Sequence, residues 1–434
     1  MSGMNAFDWR PLLPLLLTAL SLGVGVLALA WLKTSSRLSF QRRLGVVSAV
    51  TLFLCFDLIL FGAYTRLSDS GLGCPDWPGC YGQASPIGAG SQIDQAAQLM
   101  PTGPVTLKKA WIEMIHRYAA MTVGLLILVM CLTCWLELYR NRLRDHKQDP
   151  MGQFEAREVS TLGADSSSVP SSVPSSVDQL NSAWLRPTAI WCTLTLFWVL
   201  VQGLFGALTV STRLYPAIVS LHLLGGMMLL TLLCVQTFKL QGYSSEGWLV
   251  RLGLLTTPDE PSPKPLLMPG LLALGLGIIW MQMALGAWVS TNYAVLACQT
   301  FPLCQGEWWP VMNFHQGFEI WRPLGLSASG EPIDFSALTA IHMVHRMGAA
   351  LVVLGLLWVA RRMHNHGHVS LSRSLILLLG LQVLSGVSNV VLEWPLLGAL
   401  MHVGGAAALV LILTWSWLLG SKPQALSAAS STMT

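Results

Sequence analysis

Charge is what this sequence has least of. Asp, Glu, Lys and Arg make up 11% of its 434 residues, against about 25% in an average soluble domain. Hydrophobic residues make up 53% and the mean hydropathy is +0.57, so lipid is the solvent for most of the chain. The net charge is only +4, and the basic residues sit in short loops between apolar runs. That placement reads as membrane topology and excludes a nucleic-acid-binding patch. An Asp-rich diphosphate motif is missing, which disfavours a prenyltransferase. A small-residue cleavage site is missing after the first apolar run, which is therefore kept as a helix.

What is present is a series of nine apolar stretches, each near the roughly 20 residues needed to span a bilayer. They cover 11–32, 44–64, 111–136, 188–210, 217–239, 268–291, 337–360, 374–392 and 396–419. The loops carrying Arg37, Arg42 and Arg43, then Arg140, Arg142, Arg144 and Lys147, then Lys239, Arg251 and Lys264, then Arg361, Arg362 and Arg373, and finally Lys422 all fall on one side if the spans alternate. That side is expected to be the cytoplasm, with the N-terminus outside and the C-terminus inside. Asp57 is read as buried in the second span, either on a proton path or as a neutral hydrogen-bonded acid. A Ser/Val/Pro tract from Ser166 to Ser182 reads as a linker.

Spans two to five resemble spans six to nine. GAYTRLSDSGLGCPDWPGC answers GAWVSTNYAVLACQTFPLC, EMIHRYAA answers HMVHRMGA, QGLFGALTV answers QVLSGVSNV, and LHLLGG answers MHVGGA. Gln202 to His222 is 20 residues, as is Gln382 to His402. The expected fold is an all-α polytopic membrane protein of two pseudo-repeated four-helix bundles plus one extra N-terminal helix. Its parts are the extra helix and inner loop (1–43), the N-terminal half (44–240), a cytoplasmic linker (241–267), the C-terminal half (268–420) and a tail (421–434). The repeats are parallel in the membrane, whereas inverted repeats are the frequent transporter signature.

The repeat singles out His116, His222, His345 and His402, each about two turns into a helix entering from the outside. One intramembrane histidine is as readily a helix–helix hydrogen bond as a ligand. Four at equivalent positions favour function. Neither half offers a carboxylate–histidine cluster for a small metal. Two neutral imidazoles on facing helices suit a haem iron, and a bundle diagonal of about 11–14 Å leaves room for a porphyrin, given adjacent helices roughly 8–10 Å apart. Small residues follow each histidine by three and four positions: Ala119 and Ala120, Gly225 and Gly226, Gly348 and Ala349, Gly405 and Ala406. They share the histidine's face and would let a macrocycle approach the backbone, although small residues also serve helix packing. Arg66, Arg117, Arg213 and Arg346 lie at outer helix ends, where haem propionates or lipid phosphates could pair with them.

The halves differ one turn before the first histidine. Glu113 in the first half stands where His342 stands in the second. A carboxylate beside a haem can move a proton or stabilise developing positive charge; alternatively it is a structural partner for Arg117. Two outer cysteine pairs, Cys74/Cys80 and Cys298/Cys304, lie on the oxidising side, where disulfides, a thiol relay or unpaired thiols are the choices. Cys55, Cys131, Cys134, Cys192 and Cys234 read as packing residues. The inner tract of His364, His366 and His368 reads as a solvated loop in preference to a weak metal site, with His146 in another inner loop and His315 in an outer one.

The cysteine-loop sequence, Glu113-x-x-His116-Arg117, His345-Arg346 and the two later histidines with their glycine neighbours resemble the haem A synthase (Cox15/CtaA-type) family over about 44–419. That resemblance implies an enzyme oxidising the C8 methyl of haem O to the formyl of haem A for terminal oxidases. It implies a resident haem b on His345 and His402, the substrate haem between His116 and His222, Glu113 as catalytic carboxylate, and Cys74–Cys80 and Cys298–Cys304 as the loop cysteines. It further implies a bacterial inner-membrane location, haem O synthase and oxidase assembly factors as partners, and a homo-oligomer. The competing classes are a bis-histidine b-type cytochrome without chemistry on haem, and a membrane thiol–disulfide oxidoreductase.

Overall fold

The computed structural model describes residues 7–32, 39–101, 103–148, 184–241 and 269–420. The Ser-rich tract, Arg37, Arg251, Lys264, Lys422 and the C-terminal tail lie outside these residues. Eleven α-helices are described. They are α1 (Leu12–Leu32), α2 (Phe40–Leu67), α3 (Gly90–Leu99), α4 (Leu107–Gln148), α5 (Leu185–Ser211), α6 (Pro216–Gln241), α7 (Pro269–Thr291), α8 (Phe314–Gly317), α9 (Phe335–Asn365), α10 (Val369–Val391) and α11 (Leu396–Gly420).

Eight of these are long and apolar enough to cross a membrane: α2, α4 to α7, and α9 to α11. The chain is therefore a multi-pass integral membrane protein. The first expected span forms α1, but its described apolar part, Leu12–Ala28, falls in the shorter class. It packs on α4 and α2 outside the bundles. The long helices carry apolar side chains around most of their surface, as lipid-embedded helices do. Their few polar groups meet inside: Ser48 and Thr237 pair at 2.8 Å between α2 and α6, and the Trp198 indole donates to the Gly225 carbonyl at 2.9 Å between α5 and α6.

Helices α2, α4, α5 and α6 pack in a ring, each on two neighbours, and α7, α9, α10 and α11 do the same. The rings meet where α6 packs on α7 and α11, and where α2 packs on α11. Positions paired by the internal sequence likeness share backbone conformations. Asp69 and Tyr293 have positive φ, as do Tyr81 and Gln305, and as do the turn pairs Arg213–Leu214 and Glu393–Trp394. Trp77–Pro78 and Phe301–Pro302 are both cis. Cys80 bridges Gln83, and Cys304 bridges Glu307.

At the cysteine-loop end, Phe7–Asp8 pairs in parallel with Trp77–Pro78, and the Trp9 and Trp77 rings meet edge-on at 5.8 Å. The start of the described chain and the first cysteine loop are therefore on one side.

Asp57 corrects its expectation. It is exposed on the outer surface of α2, on the same side as Phe53. Apolar patterning conceals this, because every face of a membrane helix is apolar and an acid cannot be assigned to the inner face by its neighbours. Likewise, His364 lies within α9, which runs five residues past the expected end of its span.

Candidate haem-binding site

In each ring the histidines stand on diagonally opposite helices. His116 is on α4 and His222 on α6; His345 is on α9 and His402 on α11. A single cavity of about 1230 Å³ is lined by all four. That exceeds the roughly 300–1,000 Å³ of a pocket for one small ligand.

The other diagonal supplies glycines. A Cβ added to Gly62 of α2 would lie 2.9 Å from His116, and one on Gly286 of α7 would lie 3.0 Å from His345. Gly206 of α5 and Gly386 of α10 stand to His222 and His402 at 3.4 and 3.1 Å. Each imidazole is thus seated on a bare stretch of the neighbouring helix. Phe61, beside Gly62, stacks on His116 at 6.3 Å between ring centres. These four glycines occur at matching places in the repeated segments, GAYT with GAWV and GALTV with GVSNV. Repeat alignment could have found them, but only the helix diagonals show what they face.

The eight small residues after the histidines divide into two sets. Those four positions on, Ala120, Gly226, Ala349 and Ala406, line the cavity. Those three positions on do not. A Cβ on Gly225, Gly348 or Gly405 would overlap the amide of Gln202, Gln282 or Gln382 respectively. Three of the expected macrocycle-facing glycines therefore accommodate a glutamine of the adjacent helix. Successive helical positions point about 100° apart, so spacing alone does not separate the two uses.

Glu113 is buried, at 3% exposure, and lines the cavity. One carboxylate oxygen accepts the backbone N–H of Cys74 at 2.9 Å. The other accepts from the Arg117 guanidinium. Arg117 also donates to the carbonyls of Asp76 at 2.9 Å, Pro78 at 3.2 Å, and Gly79. Inside the same loop, Asp76 accepts the N–H groups of Tyr81 at 2.6 Å and Gly82 at 2.8 Å. Burial, with Asp76 nearby, pushes the Tyr81 phenol above its ordinary value. The sequence reading missed Asp76; its only signal is a place between the two cysteines.

The second half repeats this design with one exchange. Arg346 donates to the carbonyls of Cys298 at 3.2 Å, Thr300 at 3.0 Å and Leu303 at 3.1 Å. Its Nε lies 3.3 Å from His342, which occupies the place of Glu113. Both cysteine loops are closed by disulfides, Cys74–Cys80 and Cys298–Cys304. The remaining five cysteines are buried thiols, as expected for packing residues.

The four arginines named from the sequence have different surroundings. Arg117 and Arg346 hold the cysteine loops, although both also line the cavity. Arg66 lines it too, and donates across the ring junction to the Ser290 carbonyl at 2.7 Å. Arg213 occupies a left-handed turn position between α5 and α6 and is not among the lining residues. A residue at a helix's outer end can point away from the bundle, and number along the chain does not reveal this. His315 is also outside the site, 3.8 Å from Glu319.

The donor set fits haem. Imidazoles on opposed helices, seated on glycines within one large apolar cavity, are what axial ligation of a flat macrocycle needs. His222 Nδ1 is buried without a hydrogen-bond partner. Among the described residues, no group of three or more His, Cys, Asp and Glu is arranged to hold a metal ion directly.

Fold and site together define a polytopic helical membrane protein with paired histidines around a macrocycle-sized cavity. The model of the COX15–CtaA cytochrome oxidase assembly protein family matches residues 45–414, and the chain belongs to that family. Among curated relatives, the heme A synthase of Shewanella oneidensis is 34% identical over 368 residues, covering 84% of this chain and 92% of the relative. Those of Halalkalibacterium halodurans and Sinorhizobium medicae are 21% and 24% identical, over 83% and 87% of this chain and 92% and 90% of theirs.

Proposed function

We propose that this protein is a haem A synthase that oxidises the C8 methyl group of haem O to a formyl group. In this reading His116 and His222 flank the substrate haem, and His345 and His402 hold a resident haem b. The observation that carries it is the pairing of four diagonal histidines in one cavity with a buried carboxylate, Glu113, in the first half alone. The relatives named as heme A synthases support the same substrate class.

Haem b supplies one-electron chemistry when bound. The chain's own residues do the rest. The glycine-seated imidazoles would hold a haem between the helices of each half. Glu113 is held on two donors, Cys74 N–H and Arg117. A carboxylate has about four lone-pair sites, so it retains capacity to accept a proton from the reacting carbon's new hydroxyl. Methyl to formyl is a four-electron oxidation through alcohol and geminal diol, its electrons passing to an external one-electron acceptor; the diol then loses water as Glu113 takes the proton of one hydroxyl and returns it to the other, which leaves. The apolar cavity wall limits competing water. The membrane is the bacterial inner membrane, with the cysteine loops and N-terminus outside. Haem O arrives from the haem O synthase step, and haem A leaves toward oxidase assembly.

Purified protein, with its haems extracted and separated by chromatography, tests this reading. Haem b together with haem O or haem A is expected. Haem b alone would instead mark an electron-transfer cytochrome. The variant Glu113→Ala is expected to retain haem while haem A production falls by 100-fold or more, at the low end of the roughly 10²–10⁴ attributable to general acid–base catalysis. Full production by that variant would remove Glu113 from the chemistry.

A further inference from the structure

The two halves differ at the atom of each imidazole that a macrocycle does not use. In the second half both Nδ1 atoms touch a polar side chain of a neighbouring helix. The Gln282 amide nitrogen lies 2.9 Å from His345 Nδ1, and it also donates to the His345 carbonyl at 2.9 Å. The Ser385 hydroxyl lies 3.2 Å from His402 Nδ1. Gln282 stands four residues before Gly286, and Ser385 stands one before Gly386. The equivalent places in the first half, four before Gly62 and one before Gly206, hold Leu58 and Phe205. Neither side chain has a hydrogen-bonding group. Consistent with that exchange, His222 Nδ1 is buried and unpartnered.

A hydrogen bond to the second ring nitrogen fixes an imidazole's tautomer and orientation and raises its basicity toward a metal. With iron on Nε2 the ring carries its proton on Nδ1, so the Gln282 amide would turn to present its oxygen, which is buried without a partner, and give up its donation to the His345 carbonyl. Ser385 can accept or donate in the same way. His345 Nε2 is left for iron, whereas His402 Nε2 lies 3.4 Å from the Gln382 amide nitrogen, a long contact that a haem iron would displace.

We propose that Gln282 and Ser385 are positioning residues that lock the two second-half imidazoles by Nδ1 and make that haem a resident. Leu58 and Phe205, at the matching points, leave the first-half imidazoles unlocked, so the haem there exchanges. The proposal rests on the haem reading above and explains at the level of single atoms why one haem stays and the other turns over. An enzyme whose substrate and cofactor are nearly the same molecule needs such a distinction in its ligands' surroundings.

The test compares wild type with Gln282→Leu/Ser385→Ala, with Ser385→Thr, and with Leu58→Gln/Phe205→Ser, all purified in detergent. Haem b loss to excess apomyoglobin, the midpoint potential of the bound haem, and haem A production are measured for each. Removing the locks is expected to weaken haem b retention by about 10–100-fold, the usual effect of deleting such partners, and to move the potential upward. Ser385→Thr keeps a hydroxyl and should behave as wild type, which separates the role from general packing. Installing locks in the first half should slow release of haem from that half, with haem A production falling although Glu113 is intact. If Gln282→Leu/Ser385→Ala keeps wild-type retention and potential, or if Leu58→Gln/Phe205→Ser releases haem as fast as wild type, the proposal is wrong. Wild type that yields no haem A would instead overturn the functional reading, and retention data would still decide the roles of Gln282 and Ser385.

Discussion

Glycine at positions 286 and 386 is fixed by what it faces, not by its backbone angles. A methyl group there would sit 3.0 and 3.1 Å from the imidazoles of His345 and His402, closer than ordinary carbon contact at about 3.5–4.0 Å. The rings would have to tilt or move inward. Gly286→Ala and Gly386→Ala are each expected to cost about 1–3 kcal/mol, the range for overpacking a tight interior. They should also broaden or shift the optical spectrum of the retained haem, and thermal unfolding followed at the haem band checks both effects. Wild-type spectra with unchanged melting would mean that the rings have room to spare. The histidines were legible in the sequence because a repeat exposes them. The glycines' partners and the Nδ1 contacts were not, since both lie between helices that are separated along the chain.

At the scale of elements, each cysteine loop is fastened to the helix that carries the first histidine of its half. Arg117 and Arg346 stand directly after His116 and His345, and their guanidinium groups collect loop carbonyls. Pairing with haem propionates or lipid phosphates, as read from sequence, competed with this use. Buried carbonyls without N–H partners need a donor, and a five-donor guanidinium serves several at once. Arg117→Met is expected to destabilise the loop by about 3–5 kcal/mol, as when one member of a buried ion pair is removed. Limited proteolysis should then cut between Cys74 and Gly90, and haem A production should fall because Glu113 has lost a donor. Resistance equal to wild type would show that the disulfide alone keeps the loop in place. Hydropathy gave nine spans, of which eight are long apolar helices and the first is a shorter one; the grouping into fours was read from the repeat instead. The outward face of Asp57 was not readable, because hydropathy records depth in the bilayer and carries no angular information when every face is apolar.

Across the whole molecule, the two rings are joined at the cysteine-loop end by residues that occupy equivalent places in the repeat. Arg66 reaches the carbonyl of Ser290, its counterpart. The Tyr293 hydroxyl donates to Asp69, its own counterpart, at 2.8 Å, while Arg66 lies 4.0 Å from the centre of the Tyr293 ring. Ser220 and Thr291 pair nearby at 3.0 Å between α6 and α7. Burial is the main influence on the Tyr293 phenol and raises its pKa; Arg66 opposes the shift and Asp69 adds to it. A raised value in the folded protein means that this contribution to stability is complete below the ordinary phenol pKa, near 10. It is lost as pH rises above that value and through the folded one. Melting temperature should therefore fall more steeply above pH 10 in wild type than in Tyr293→Phe. Parallel curves for the two proteins would show that the contact does not bear on the junction.

The seating of imidazole on glycine also dictates where this chain can change length. Gly206 and His222 are separated by sixteen residues, and so are Gly386 and His402. Both intervals cross a tight turn that must return the chain to the same depth for ring and glycine to meet. One inserted residue there would rotate the histidine off its glycine. The path from Gly62 to His116 is under no such discipline. It runs through the cysteine loop, and it is five residues shorter than the path from Gly286 to His345. Divergent members of the family should accordingly grow and shrink in their cysteine-loop segments, while the turn between each half's last two helices keeps its length.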